Sequence, residues 1–319
     1  MKVVDMHCDT ISELYYGRQI GKTQDLQENT LHIDLRKMKR GDYLLQNFAM
    51  FVDMGRVQEP FEHVVSLMDL FYQEIEKNQN DIRVIKTYQD ILDNQKEGCM
   101  SAMLTVEEGG CCKGNLAFLR TLYRLGARMM TLTWNYPNEL GFPNTPGNEE
   151  KGLTQTGISF VEEMERLGMI IDVSHLSDAG FHDVVKYTRN PFVASHSNAR
   201  VICNNHRNLT DDMIRLIGER GGVIGLNYFG YFLRDEQSYS NCQSRVEDMA
   251  KHARHMIQVG GSECLGLGSD FDGITGELEM KDCSDLPMLE EMFAQQGFTA
   301  QEIEGIFHKN VLRVYKELL

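Results

Sequence analysis

The opening stretch MKVVDMHCDT places an imidazole, His7, and a carboxylate, Asp9, two positions apart behind a short apolar run. In extended backbone the side chains of residues i and i+2 share a face, so His7 and Asp9 can converge on one point. That is the geometry of half a metal site. Four more residues able to bind a cation or move a proton, Glu107, His175, His196 and Asp270, close other short apolar runs further along the chain. A single histidine in such a place is more often a hydrogen-bonded structural residue than a ligand. Three histidines gathered with several carboxylates are different, because without a cation their buried charges would stand unpaired at a cost of several kcal/mol each.

Imidazole and carboxylate donors without convergent cysteines suit zinc, with manganese, iron and cobalt as alternatives. His7, Asp9, Glu107, His175 and His196 are too many ligands for one catalytic zinc that keeps an open position. They match two metals sharing a bridging carboxylate, an arrangement that makes a nucleophile of water at neutral pH and polarises a carbonyl or phosphoryl oxygen.

The elements that must gather these residues are legible as eight short runs rich in β-branched and apolar side chains, at 3–7, 46–52, 100–107, 128–133, 169–175, 191–196, 222–227 and 264–270. Amphipathic helical patterns such as LAFLRTLYRLG, ISFVEEMERLG and MIRLIGERG lie between them, each stopped by glycine. Alternation of strand and helix predicts an α/β protein with a parallel sheet. Eight such units predict a single closed (β/α)8 TIM barrel over residues 1–319, with the polar strand ends on the face where such barrels build active sites. Thr299 and Glu302 form a capping-box pattern, and the last helix is expected to lie in the outer layer after the eighth strand. The connection 53–99 reads as an extra helical segment, around 55–98. The loop 134–153, rich in glycine, proline and asparagine, has the composition of a lid over a site or of a plain surface loop.

Composition narrows the classes. A net charge of −15 excludes a nucleic-acid partner. Eight cysteines without a CxxC pair read as reduced and buried, in a cytoplasmic protein, and the adjacent Cys111 and Cys112 read as packing residues. No basic leader precedes a long apolar segment, and no apolar run approaches the roughly 20 residues of a membrane helix, so no membrane partner is expected.

Taken in order, HxD in MHCDT, EGG in VEEGG, DVSH, SHS and DFDG are similar to the motifs of the membrane (renal) dipeptidases and their bacterial relatives. HIDLRKMKRGD, LRTLYRLGARMMTLT, GLT and NLTDDMIRLI extend the likeness from residue 3 to about 315. The resemblance implies a (β/α)8 barrel with two zinc ions that hydrolyses dipeptides through a zinc-bound hydroxide. It implies that His7 and Asp9 hold one zinc, that His175 and His196 hold the other, and that Glu107 bridges them. Asp270 would move the proton, and Arg207 would bind the substrate's free carboxylate, a task suited to the guanidinium fork. L,D-dipeptides and a homodimer also follow from the family alone.

Two positions depart from the family pattern or blur it. Glu107 and Glu108 are adjacent where one glutamate is usual, and counting back from LRTLY selects Glu107. Trp134 stands where mammalian members carry a histidine that helps to stabilise the tetrahedral intermediate. An indole donates one hydrogen bond and carries no charge, and losing an oxyanion donor can cost roughly 100-fold in rate; the alternative is that Trp134 forms an apolar wall. Asp272 reads equally as a pocket residue or a turn cap, and His32, His63, His182, His252, His255 and His308 receive no role. The competing readings are another metal-dependent amidase or lactonase on the same barrel, and a non-catalytic metal-binding homologue.

Overall fold

The computed structural model describes residues 1–235 and 238–319. Its strands are β1 (Val3–Asp5), β2 (Tyr43–Phe51), β3 (Ile82–Ile85), β4 (Met100–Glu107), β5 (Met129–Thr131), β6 (Ile170–Asp172), β7 (Val193–Ala194), β8 (Val223–Leu226), β9 (Gln243–Ser244), β10 (Leu265–Leu267) and β11 (Glu277–Leu278). Eight of them run parallel in the order β2-β1-β10-β8-β7-β6-β5-β4, and pairing of β2 with β4 closes the ring. This is the predicted (β/α)8 barrel. The β2–β4 seam runs from Leu45 opposite Ser101 to Phe51 opposite Glu107, which carries Glu107 to the C-terminal rim.

Local signals fix the helices between the strands. Helices Gln155–Leu167, Asp178–Tyr187 and Asp211–Glu219 begin at Thr154, Ser177 and Thr210, whose side chains each accept the backbone N–H three residues on. The threonines of GLT and NLT are therefore caps. Gly126 and Gly168 end their helices with positive φ, as the glycine stops predict. Inside the helix Gln155–Leu167, a Cβ on Gly157 would fall 1.9 Å from the Leu140 carbonyl oxygen, so only glycine lets the 134–153 loop lie against it.

Two features differ from the sequence reading. The connection 53–99 contains the helices Pro60–Lys77 and Tyr88–Lys96, but also β3, which pairs with the first half of β4 below the point where β5 joins it. The last segment opens with the expected capping box at Thr299 and Glu302 and passes through a π turn, Gly305–Lys309, into the helix Asn310–Leu318. That helix does not join the outer layer. Its Val311, Val314 and Tyr315 pack with Val4, Met6, Leu45, Met103 and Val223 inside the barrel, and the Asn47 side-chain amide donates to the Tyr315 hydroxyl at 2.7 Å. The helix plugs the N-terminal end, leaving the C-terminal end for the site. All eight cysteines are buried and free of disulfides. Among the described residues no helix is long and apolar enough to cross a membrane.

Candidate metal centre and its pocket

Every residue proposed from sequence for the centre lies at the C-terminal end of the barrel, most of them just beyond the regular strands. Apart from β2 and β4, the barrel strands are shorter than the apolar runs, because the chain turns where the polar residues begin. His175, Asp270, Asp272 and Glu108 all have positive φ, at 65°, 61°, 72° and 100°, a costly conformation for residues other than glycine. Buried hydrogen bonds hold these turns in place. Asp5 accepts the N–H of His7 at 3.2 Å and both the N–H and hydroxyl of Ser269, at 2.9 and 2.6 Å. It thereby ties the turn after β1 to the turn after β10, and Asp270 N–H donates to the His7 carbonyl at 3.2 Å. Across the barrel Asp172 accepts the N–H groups of Ser174 and Ser195 and the hydroxyls of Thr131 and Ser195, joining β5, β6 and β7.

This second network also sets a tautomer. The Ser195 hydroxyl gives its proton to Asp172 at 2.6 Å and so accepts from His196 Nδ1 at 2.7 Å. His175 Nδ1 faces the Asn135 side-chain oxygen at 3.3 Å. Both imidazoles therefore carry the proton on Nδ1 and present a bare Nε2 lone pair. These two Nε2 atoms lie 3.0 Å apart and face the same oxygen, Glu107 Oε1, at 3.2 and 3.5 Å. The other oxygen, Glu107 Oε2, lies 3.4 Å from His7 Nε2, which is 3.5 Å from Asp9 Oδ2 and 4.0 Å from Asp270 Oδ1. Glu107 thus turns one oxygen to each pair of ligands.

The donors fit a cation. Three acceptors converge on one side of Glu107, and on the other His7 Nε2 and Asp9 Oδ1 are buried without a hydrogen-bond partner. Balanced by protons alone, the same groups are strongly perturbed. Burial disfavours the imidazolium of His7, yet Glu107 and Asp9 outweigh it and raise its pKa well above the usual range. Burial pushes Asp270 up to about 7 and Asp9 up to about 6, while burial and then Arg207 push His175 down to about 4. Positive charge between the donors satisfies them together.

Glu108 is separated from this cluster. It accepts Trp134 N–H at 2.8 Å, Gly110 N–H at 2.7 Å and the Asn138 amide, so it anchors the start of the 134–153 loop. That loop is further tied by Asn144 N–H to the His175 carbonyl at 2.7 Å and by Ser177 N–H to the Phe142 carbonyl at 3.0 Å. Trp134 packs edge-on against Phe51 with ring centres 4.8 Å apart and lies 6.2 Å from the His175 ring. It forms an aromatic wall.

Arg207 is 5 % exposed. One nitrogen, Nη2, donates to the His196 carbonyl at 3.3 Å, and Nε and Nη1 have no partner. A buried guanidinium with idle donors on a pocket wall is a receptor for an anion. Asp270 Oδ2 accepts from Asn227 Nδ2 at 2.9 Å, leaving Oδ1 toward the centre. A Cβ on Gly273, the glycine of DFDG, would meet Asp9 Oδ2 at 2.2 Å and Asp270 Oδ1 at 2.5 Å, so glycine is needed for these carboxylates to approach. Asp272 borders the pocket, and instead of capping a turn it links distant loops by accepting from Thr10 Oγ1 and His32 N–H at 2.6 Å each.

The pocket over the centre has a volume of about 660 Å³. Sequence reading missed Asp172, Ser195 and Asn135 as orienting residues and Asn227 as the partner of Asp270. The first three lie in or beside the motifs DVSH, SHS and LTWN, and Asn227 closes its strand as the ligands close theirs. His63, given no role, and His206, which the sequence reading passed over, also border the pocket. His252, by contrast, is structural, accepting Ala199 N–H at 3.0 Å and donating to the Leu233 carbonyl at 2.9 Å.

A parallel (β/α)8 barrel carrying histidines and carboxylates around one central glutamate defines a metal-dependent hydrolase. The chain belongs to the membrane dipeptidase family, peptidase family M19, whose model matches residues 1–318. It is 33% identical over 336 aligned residues to an uncharacterized dipeptidase of Schizosaccharomyces pombe, covering 99% of this chain and 80% of that protein. Among solved structures it is similar to the metallopeptidase dipeptidase AC of family M19, at 27% identity and TM-score 0.92 over 100% of this chain and 98% of that one. It is also similar to a Rhodobacter sphaeroides metallopeptidase liganded with a phosphinate mimic of L-Ala-D-Ala, at 26% identity and TM-score 0.91 over 100% and 99% of the two chains. This protein is accordingly a metallopeptidase, a hydrolase of dipeptides for which the family implies zinc.

Proposed function

We propose that the chain hydrolyses dipeptides bearing a free C-terminal carboxylate, using two zinc ions held by His7 and Asp9 on one side and His175 and His196 on the other, with Glu107 between them. The observation that carries the substrate class is the buried Arg207 guanidinium, two of whose donor nitrogens lack partners beside the convergent ligands. When bound, the metals supply Lewis acidity for the peptide carbonyl and lower the pKa of water.

This chain's own residues supply binding, orientation and proton movement. Arg207 takes the carboxylate and so sets the scissile bond one residue away, which selects dipeptides over longer chains. Asp270, with Oδ2 held by Asn227, uses Oδ1 to accept a proton from the attacking water and returns it to the leaving amine. Trp134 and Phe51 exclude bulk water along one wall. A D-residue at the C-terminal position is part of the proposal, supported by the L-Ala-D-Ala mimic bound by the Rhodobacter protein.

The test is elemental analysis of the purified protein together with hydrolysis of L,L- and L,D-dipeptides before and after chelation and zinc return. Two zinc per chain with chelator-sensitive, zinc-restored cleavage is the expected result. Metal without cleavage of any dipeptide would overturn the substrate assignment, and failure to retain metal would overturn the centre.

A further inference from the structure

The pocket has two halves, and only one is needed to hold the carboxylate. Arg207 lies after β7, beside Phe232 from the segment after β8. Across the centre the pocket is bordered by Ser12, Glu13 and Tyr16 after β1, by Phe51 at the end of β2 and Val57 after it, and by Trp134 after β5. A dipeptide whose carboxylate is at Arg207 and whose peptide bond is over the metals must therefore place its N-terminal residue in the β1–β2 half. Alanine is small against a pocket of about 660 Å³, and pockets of several hundred Å³ hold far larger ligands.

The lining of this half is chemically uneven. Phe51, Trp134 and Tyr16 present aromatic surfaces. Among the charged groups at its mouth, Asp53 is engaged by Gly55 N–H at 2.9 Å and by Arg56 at 3.2 Å, while Asp272 is held by Thr10 and His32. The carboxylate of Glu13, exposed at the mouth on the helix Thr10–Gln19, makes no hydrogen bond or ion pair among the described residues, while its backbone N–H donates to the Asp9 carbonyl at 3.1 Å. Lys22 acts on it only through space.

From this arrangement we propose that the β1–β2 half of the pocket selects dipeptides whose N-terminal residue is lysine or arginine, the aliphatic stem lying against Phe51 and Trp134 and the cationic head meeting Glu13. Long cationic side chains bury their methylenes on apolar surface while the head stays at the solvent edge, and aromatic faces favour a nearby cation. An acidic head would be repelled by Glu13. This inference rests on the dipeptidase reading and on Arg207 setting the direction of the substrate.

The experiment compares kcat/KM of the zinc-loaded enzyme for Lys-Ala, Arg-Ala, norleucyl-Ala, Phe-Ala and Glu-Ala; norleucine has the lysine stem without the charge. Lys-Ala and Arg-Ala are expected to exceed norleucyl-Ala by about fivefold or more, as for one partly exposed ion pair with a cation–π contribution. Glu13→Gln should bring the Lys-Ala to norleucyl-Ala ratio within about twofold of one, and Glu13→Lys should favour Glu-Ala over Lys-Ala, as removal and reversal of one rim charge require. Glu13 is on the surface, so neither variant threatens folding. Norleucyl-Ala or Phe-Ala equal to or better than Lys-Ala, or a ratio that Glu13→Gln leaves unchanged, would overturn the subsite while leaving the dipeptidase reading intact. No turnover of any dipeptide would remove both.

Discussion

Removing the guanidinium of Arg207 takes away the only arginine among the described residues that is both buried in the pocket wall and short of hydrogen-bond partners. Arg207→Met is expected to lower kcat/KM for dipeptides by roughly 100-fold, the scale of losing a charge-assisted contact in a buried setting. The same substrates with an amidated C-terminus are expected to be poor for the parent enzyme and little affected further by the substitution. Equal losses on both would place Arg207 in the structure of the site and reopen the reading as a hydrolase of neutral amides or lactones. Trp134 at the position of the mammalian histidine is an aromatic wall held by Glu108 through its backbone, and its ring faces Phe51 and His175.

The turns that follow the strands hold the ligands, and the turn after β10 shows how tightly. Gly273 leaves room for Asp9 and Asp270 that one methyl would fill. Gly273→Ala is expected to cut kcat/KM by about 10- to 100-fold, as misplacement of reacting groups by a fraction of an ångström to 1 Å does, with circular dichroism unchanged. Parent-like activity in this variant would show that the turn yields without moving either carboxylate. A sequence of short motifs cannot reveal this constraint, since DFDG reads as four residues until the fold brings Asp9 against the fourth. The alternation that predicts the barrel is legible because each strand ends where apolar residues give way to polar ones. Strand β3 escaped because IRVI is short and flanked by strong helical patterns on both sides.

For the whole molecule, the centre joins turns from β1, β4, β6, β7 and β10, so metal binding and folding are coupled. Chelation is expected to lower the melting temperature, by the equivalent of about 3–4 kcal/mol for each zinc lost at free zinc 100 to 1,000 times the dissociation constant, and zinc return should restore it. An unchanged melting temperature in protein shown to have lost its metal would contradict that coupling. Acid should act at a second place. His252 is buried and pushed down to about 4 by burial, against its usual 6.5. The unfolded chain therefore binds a proton that the folded chain refuses between about pH 6.5 and 4, and stability falls as pH drops through that window. Denaturant unfolding of the metal-free protein should show His252→Gln less stable at pH 8 but less sensitive to acidification than the parent; parallel pH profiles would rule the residue out. The sequence by itself determined the eight-fold strand–helix order and the six residues at the rim, because periodicity, caps and strand-end polarity are local, and its ordered motifs carried the resemblance to the family. Only the tertiary structure decided that Glu107 faces both ligand pairs while Glu108 anchors a loop, that Ser195 and Asn135 set the imidazole tautomers, and that the last helix fills the barrel. Those outcomes depend on distances between segments up to hundreds of residues apart, which closure of the barrel fixes and no local pattern encodes.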